Sequence, residues 1–227
     1  MDCARFLSGL DSVARSKSAR SKSSGRWLQR HVSDRFVHKA REEGYRSRAA
    51  YKLIEVNNRH RLLIPGARVV DLGAAPGGWC QVVADKIGPR GRLVAVDLLE
   101  FAPISGATVL QGDFLDEGIQ AQLTQALGGK ADVVLSDMSP NLSGIVSADQ
   151  ARAAELVLMA IEFCRAQLSA SGAFFVKIFQ GSEFQALMAE LKRTFKEVKV
   201  VKPEASREES RETYVLARGL REGTKTP

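Results

Sequence analysis

The residues best suited by type and spacing to bind a reactive small molecule lie in a glycine-rich run, residues 71–79, with the sequence Asp-Leu-Gly-Ala-Ala-Pro-Gly-Gly-Trp. A strand-like apolar run precedes it and a helical pattern follows it. Glycines at such a junction let the backbone approach a ligand closely, and Gly73 and Gly77 are the candidates here. Asp97 ends the next predicted strand, about 20 residues further on, where a carboxylate can accept hydrogen bonds from a ribose diol. The pattern indicates a site for a nucleoside-bearing cofactor.

Two residues of this loop bear on which nucleoside it binds. Ala75 stands where the second glycine of a dinucleotide fingerprint would let a pyrophosphate come close, and Pro76 lies inside the turn. Both favour a cofactor without a pyrophosphate, such as S-adenosylmethionine, and disfavour a nicotinamide-dependent oxidoreductase. Asp113, after the third predicted strand, is placed either to accept a hydrogen bond from an adenine amine or to cap a helix.

Short apolar runs alternating with helical patterns must position these residues. The predicted strands are 68–72, 92–96, 108–110, 132–136, 173–178, 198–201 and 213–217, and the main helices are 79–87, 119–127, 148–168 and 183–195. Such alternation implies parallel pairing, because each crossover needs a dozen or more residues. Only the polar stretch 202–212 separates the last two strands, so the final strand is expected to return as an antiparallel edge strand. The predicted fold class is α/β, a mostly parallel seven-stranded sheet with an antiparallel last strand and helices on both faces.

The excess of positive over negative charge is confined to the first quarter of the chain. Residues 1–62 hold 15 Lys and Arg against 6 Asp and Glu, whereas residues 63–227 hold 18 against 20. A localised basic region favours binding to a polyanion such as nucleic acid, with a merely solubilising tail as the alternative. Residues 1–26 are expected to be a disordered basic tail, 27–64 a basic helical RNA-binding segment, 65–219 the catalytic domain and 220–227 a flexible C-terminus.

The remaining composition indicates a cytoplasmic protein with one core. The chain is 44% hydrophobic, but no apolar run is long enough to span a membrane and the amino end lacks a signal-peptide pattern. Cys80 and Cys164 are predicted to be buried, and the three cysteines lack metal-ligand spacing.

Five motifs together resemble the FtsJ family of RNA ribose 2′-O-methyltransferases, in particular the bacterial members that modify large-subunit ribosomal RNA. These motifs are residues 46–53, 71–79, 136–141, 175–181 and 210–214. The resemblance implies a Rossmann-like methyltransferase fold with S-adenosylmethionine as methyl donor and no metal. The residues expected to bind this cofactor are Gly73, Gly77, Trp79, Asp97, Asp113 and Asp137.

The same resemblance assigns a Lys-Asp-Lys-Glu catalytic tetrad, whose positions here are Lys52, Asp137, Lys177 and Glu212. It nominates Lys177 as the general base that removes the proton of the ribose hydroxyl. A lysine can do this only as a neutral amine, which desolvation or a second cation such as Lys52 favours and the two carboxylates oppose. A purely orienting role for Lys177, with proximity supplying most of the acceleration, stays open.

The resemblance also implies that the acceptor is a uridine ribose in 23S-type RNA, presented in an assembled or late-assembling 50S-type subunit. The enzyme is expected to be a monomer with no membrane partner. Phosphates are expected to meet Arg26, Arg30, Arg35, Lys39, Arg41, Arg46 and Arg48. Trp27 or Tyr51 either stacks on a base or anchors these helices on the core. Transfer RNA or an mRNA cap is an alternative acceptor, and a noncatalytic ribosome-assembly factor is the alternative from another class.

Overall fold

The computed structural model describes residues 34–141, 143–207 and 210–223. The expectations for Arg26, Trp27 and Arg30, for the tail 1–26 and for the end of the chain from residue 224 lie outside the described residues.

The described elements follow the order expected from the sequence. They are α1 Arg35–Glu42, α2 Ala49–His60, β1 Arg68–Leu72, α3 Gly78–Ile87, β2 Arg92–Asp97, β3 Ala107–Gln111, α4 Glu117–Leu127, β4 Ala131–Ser136, α5 Val146–Gln167, β5 Leu168–Phe179, α6 Phe184–Thr194, β6 Phe195–Val201 and β7 Glu212–Leu220. Every predicted strand and core helix is confirmed, with ends that shift by a few residues. The largest shift is at β5, which begins at Leu168 instead of residue 173.

The strands form one sheet in the order β3-β2-β1-β4-β5-β7-β6. The first five strands of this order are parallel to one another, and β7 is antiparallel to both β5 and β6, which confirms the predicted reversal. The expectation that the reversed strand lies at the edge was wrong, because β7 is inserted between β5 and β6. Burial explains this order. In β7 Tyr214, Val215, Leu216 and Ala217 are all buried, whereas β6 exposes charged side chains that an edge strand tolerates.

Successive residues of each strand serve two different cores, since their side chains point to opposite faces of the sheet. Val70 faces the core shared with α4, α5 and α6, and its neighbour Val69 faces the core beneath α2 and α3. The predicted placement of helices on both faces is therefore confirmed. It also fixes α2 on the sheet, with Leu53 and Val56 fully buried beside Lys52.

The carboxyl ends of the parallel strands meet at one edge of the sheet, where open α/β sheets bind ligands. Because β7 runs the other way, its first residue, Glu212, pairs with Phe179 near the end of β5. The reversal thus brings a residue far along the chain to the same edge as Asp97 and Asp137.

Candidate functional site

The structure gathers the four tetrad residues at this carboxyl edge. Lys177 Nζ lies 3.1 Å from Asp137 Oδ1 and donates to the Asp137 backbone oxygen at 2.8 Å. Lys52 Nζ lies 3.4 Å from Glu212 Oε2. Both lysines are largely buried, with 8% of Lys52 and 7% of Lys177 exposed, so each ammonium depends on these oxygens to replace water.

Strand alternation explains why Lys177 points into this cluster. On β5, Phe175 lies in the core beneath α2 and α3, and Lys177, two residues later, falls on the same face. Val176 and Ile178 face the opposite core. Lys177 is the last buried residue on that face and lies close to the end of β5. It therefore reaches Asp137, which directly follows β4.

Tyr214 joins the two halves of the tetrad, a role that sequence reasoning did not assign. Its hydroxyl accepts a hydrogen bond from Lys52 Nζ at 2.7 Å and donates one to Asp137 Oδ1 at 2.9 Å. The side chain is fully buried, and burial raises the pKa of the Tyr214 phenol far above its ordinary value. The signal was in the β7 alternation, which places Glu212 and Tyr214 on one face.

A cavity of about 490 Å³ opens beside this cluster, within the usual size range of small-molecule sites. Its wall consists of Gly73, Ala75, Val96, Asp97, Leu98, Leu99, Gly112, Asp113, Phe114, Leu115, Asp137, Met138, Ser139, Pro140, Asn141, Arg152, Glu155 and Leu156. Four residues expected to bind the cofactor, Gly73, Asp97, Asp113 and Asp137, are therefore brought together. The wall combines these carboxylates with apolar side chains, which suits a molecule with both hydroxyls and a flat ring.

Backbone N–H groups hold two of these carboxylates in place. Asp97 Oδ2 accepts from Ala75 N and Oδ1 from Leu99 N, both at 2.8 Å, and Asp113 Oδ1 accepts from Leu115 N at 2.9 Å. Each carboxylate oxygen has a second lone pair left for a ligand.

Asp113 is not the cap of the following helix. The N-cap of α4 is Asp116, whose side chain accepts from Ile119 N. The helix-cap interpretation of Asp113 is therefore wrong, because the cap position falls three residues later.

The other two expected cofactor residues, Gly77 and Trp79, do not line the cavity. Trp79 is only 3% exposed, its Nε1 donates to Ala49 O at 2.7 Å, and its ring packs against Phe175. A Cβ at Gly77 would meet Arg46 and neighbouring apolar side chains. The Gly77 N–H is already taken, since it donates to Ala74 O at 2.7 Å. Trp79 could contact a cofactor only through its backbone N–H, which lies in the first turn of α3 and has no partner within the helix.

Arg46 was expected to bind phosphate, but its guanidinium is turned onto the protein. Nη1 donates to the carbonyl oxygens of Pro76 and Ala102, and Nη2 donates to that of Pro103. Arg48 similarly donates to the backbone oxygen of Ala205. The expected phosphate contacts of both side chains stay predictions, since these bonds show only that backbone carbonyls distant in sequence accept from the two guanidinium groups.

Tyr51 anchors the basic helices, which was the alternative to base stacking. Its hydroxyl donates to Glu43 at 2.9 Å and its ring packs on Phe36 and Tyr45. Arg35, Lys39 and Arg41 remain exposed. These three are the candidates for phosphate contact among the described residues of α1.

Asp71 and Cys80 form a buried polar pair behind the glycine-rich loop. The Cys80 thiol donates to Asp71 Oδ2 at 3.2 Å, and Asp71 Oδ1 is buried without a partner. Burial raises the pKa of Asp71 to about 7. Cys80 and Cys164 are both buried, as predicted.

Within the described part of the chain, no group of three or more His, Cys, Asp and Glu side chains could hold a metal ion. No helix of these residues has both the length and the apolar character needed to cross a membrane.

Residues 45–220 match the family model of the FtsJ-like methyltransferases. The chain is 48% identical over 204 residues to a protein of Chromobacterium violaceum named "Ribosomal RNA large subunit methyltransferase E", covering 89% of this chain and 100% of that one. It is 52% identical over 199 residues to a protein of the same name from Acidithiobacillus ferrooxidans, covering 88% of this chain and 91% of the relative.

Solved structures agree with this relationship. The crystal structure of a putative ribosomal RNA methyltransferase from Plasmodium falciparum superposes with a TM-score of 0.68 at 29% identity, covering 78% of this chain and 98% of that one. Aeropyrum pernix fibrillarin, crystallised with bound S-adenosyl-L-methionine, gives a TM-score of 0.54 at 19% identity, covering 74% of this chain and 73% of that one. The second likeness shows the fold alone, a Rossmann-like methyltransferase fold.

Proposed function

The chain belongs to the FtsJ-like methyltransferase family, and from this membership and its site we propose that it methylates a ribose 2′-hydroxyl of large-subunit ribosomal RNA with S-adenosylmethionine as donor. It is a ribosomal RNA methyltransferase. One observation supports the proposed position of the methyl acceptor. The ammonium of Lys177 contacts Asp137, and Asp137 lies in the wall of the nucleoside-sized cavity. A hydroxyl placed at Lys177 is therefore next to that cavity.

The cavity residues fit S-adenosylmethionine, which when bound supplies a methyl group on a positively charged sulfur. Asp97 would accept hydrogen bonds from the ribose diol and Asp113 one from the adenine amine. The apolar side chains of Leu98, Leu99 and Phe114 would cover the adenine ring. Asp137 offers a negative charge toward the methyl donor.

The protein's own part in the reaction is to bring the acceptor oxygen into line and to manage its proton. Methyl transfer forms an O–C bond and breaks the S–C bond, while the hydroxyl loses its proton. In this proposal Lys177, as a neutral amine, takes that proton and becomes an ammonium stabilised by Asp137 Oδ1 and the Asp137 carbonyl oxygen. Lys52, held by Glu212, adds a second positive charge to the same cluster, because the Tyr214 hydroxyl links it to Asp137.

The proposed acceptor is a uridine in 23S-type RNA within an assembled or late-assembling 50S-type subunit, acted on in the cytoplasm. The names of the relatives and the exposed basic residues of α1 support an RNA of this kind. We propose that the enzyme acts as a monomer, since one chain supplies all four tetrad residues and the cavity wall.

Transfer of labelled methyl groups from S-adenosylmethionine tests this function. Wild-type protein and Lys177→Ala would each be mixed with intact large subunits, free ribosomal RNA and transfer RNA. We expect label in the large-subunit RNA with the wild type only, at a nucleotide that then resists alkaline cleavage, because that cleavage needs a free 2′-hydroxyl. Label in transfer RNA alone would replace the proposed substrate, and no label despite cofactor binding would favour an assembly factor.

A further inference from the structure

We infer that Tyr214 is a positioning residue for methyl transfer, whose hydroxyl joins Lys52 to Asp137 and so fixes both relative to the acceptor ribose. This inference rests on the proposed function and adds a fifth residue to the tetrad.

The geometry gives the Tyr214 hydroxyl two partners, both of them tetrad residues. It accepts from Lys52 Nζ at 2.7 Å and donates to Asp137 Oδ1 at 2.9 Å. Without it, the described contacts leave two separate ion pairs, Lys52 with Glu212 and Lys177 with Asp137. With it, the four charged groups form one connected chain.

The packing of the Tyr214 ring does not depend on its hydroxyl. It stacks on Phe175 at a centroid distance of 5.0 Å and packs against Trp79 at 6.1 Å, contacts that phenylalanine would make equally well. A fully buried hydroxyl costs free energy unless it is hydrogen-bonded. Here both of its bonds go to charged groups of the reaction site, so the hydroxyl serves that site and not the core.

The bond also sets the orientation of the Asp137 carboxylate. Within the described residues, both Tyr214 Oη and Lys177 Nζ contact Oδ1. This arrangement leaves Oδ2 for the positively charged methyl donor. A neutral hydroxyl suits the bridging position because it can accept from an ammonium and donate to a carboxylate at the same time.

Lys52 depends on the same bridge. Its ammonium is nearly buried and lies 3.4 Å from Glu212, a longer contact than its 2.7 Å bond to Tyr214. The phenol is therefore its closest described partner. Losing this partner should let Lys52 move away from Asp137, to which only the Tyr214 hydroxyl links it.

The test is Tyr214→Phe, which keeps the ring and removes only the hydroxyl. With saturating RNA and cofactor, we expect the single-turnover methylation rate to fall about 10- to 100-fold, because two charge-assisted hydrogen bonds are lost. The KM for RNA, the Kd for S-adenosylmethionine and the melting temperature should change little. The matched control is Thr213→Val, which removes a buried hydroxyl from the adjacent residue of β7, where it makes only a 3.5 Å contact to Val201 O. This control should methylate at the wild-type rate.

A second measurement separates positioning from general stabilisation. Lys52→Met should itself lower the rate, and adding Tyr214→Phe should cost less than it does in the wild type, because the bond to Lys52 is already lost and only the bond to Asp137 remains to be broken. The inference would be overturned if the rate losses of the two single variants multiplied in the double variant, or if Tyr214→Phe methylated at the wild-type rate. It would also be overturned if lower cofactor affinity and a lower melting temperature accounted for the slower rate of Tyr214→Phe. If the wild type methylates no RNA, the proposed function fails instead.

Discussion

The guanidinium of Arg46 donates to the carbonyl oxygen of Pro76 at 3.2 Å and thereby ties the segment between α1 and α2 to the glycine-rich loop. The same side chain reaches Pro103 O at 2.9 Å, and the Arg46 backbone N–H donates to Gln81 Oε1 on α3 at 2.8 Å. Arg46 does not line the cavity, and it therefore holds the glycine-rich loop from outside the cavity wall.

Arg46→Ala is expected to weaken binding of S-adenosylmethionine by roughly tenfold in the absence of RNA, since the loop loses several hydrogen bonds that hold it. Arg46→Lys should not restore affinity, because a single ammonium cannot reach the separate carbonyl oxygens that the planar guanidinium contacts at the same time. Isothermal titration calorimetry on the RNA-free protein measures both.

A contrasting variant is Arg41→Ala, whose exposed side chain is a candidate phosphate ligand. It should lower RNA affinity and leave the cofactor Kd unchanged. Weaker RNA binding with an unchanged cofactor Kd in Arg46→Ala would instead return Arg46 to the phosphate-binding role first expected.

Lys177 and Asp97 should differ in which step each supports. Lys177→Ala is expected to lower the methylation rate by at least about 100-fold with a nearly unchanged cofactor Kd, since its amine receives the proton of the acceptor in the proposed mechanism. Asp97→Ala should raise the cofactor Kd by roughly 10- to 100-fold, because it removes both the proposed ribose contact and the bond to Ala75 N. Calorimetry beside single-turnover rates separates the two effects. Equal loss of cofactor binding in both variants would contradict the assigned roles.

The sheet and the tetrad could be predicted because each leaves a local or motif-level signal. Apolar runs of strand length alternate with helical patterns, and the motifs around Lys52, Asp137, Lys177 and Glu212 are each contiguous in sequence. Parallel pairing then places strand ends together without further information.

What could not be predicted depends on contacts between residues far apart in the chain. Arginine is a residue type that often binds phosphate, and only the folded protein shows that the partners of Arg46 are carbonyl oxygens 30 and more residues away. Tyr214 looks like an ordinary apolar residue of a buried strand until Lys52, 162 residues away, packs against it. The insertion of β7 between β5 and β6 likewise depends on which strand can tolerate solvent, a property of the whole sheet.

Gly73 tests how closely the glycine-rich loop must approach the end of strand β4. Its φ is +77°, and a Cβ there would lie 2.8 Å from both the N and the Cα of Met138, the residue after Asp137. Because the backbone of Met138 cannot move away without disturbing the end of β4, Gly73→Ala should lower the free energy of unfolding by about 1–3 kcal/mol and also weaken cofactor binding. The control is Gly66→Ala, at φ +83° with nothing within 4 Å, which carries only the conformational strain. Urea unfolding and calorimetry would show the difference, and equal effects of the two substitutions would refute the close-contact argument.

The buried carboxyl of Asp71 should make stability depend on pH in the direction opposite to that of a salt-bridged acid. Burial raises its pKa from 3.8 to about 7, so between these values the folded protein holds a proton that the unfolded chain has released. The free energy of unfolding should therefore fall as pH rises from about 4 to about 7 and stay lower above that, by an amount on the order of a few kcal/mol.

Asp71→Asn mimics the protonated acid and keeps an oxygen that can accept from the Cys80 thiol. The melting temperature of this variant minus that of the wild type should become more positive from pH 5 to pH 8.5, measured by calorimetry without cofactor. The contribution of Asp71 is then present at low pH and lost through neutrality. A difference that stays constant over this range would mean that the native carboxyl does not take up a proton, and that the hydrogen bond from the Cys80 thiol stabilises its ionised form despite complete burial.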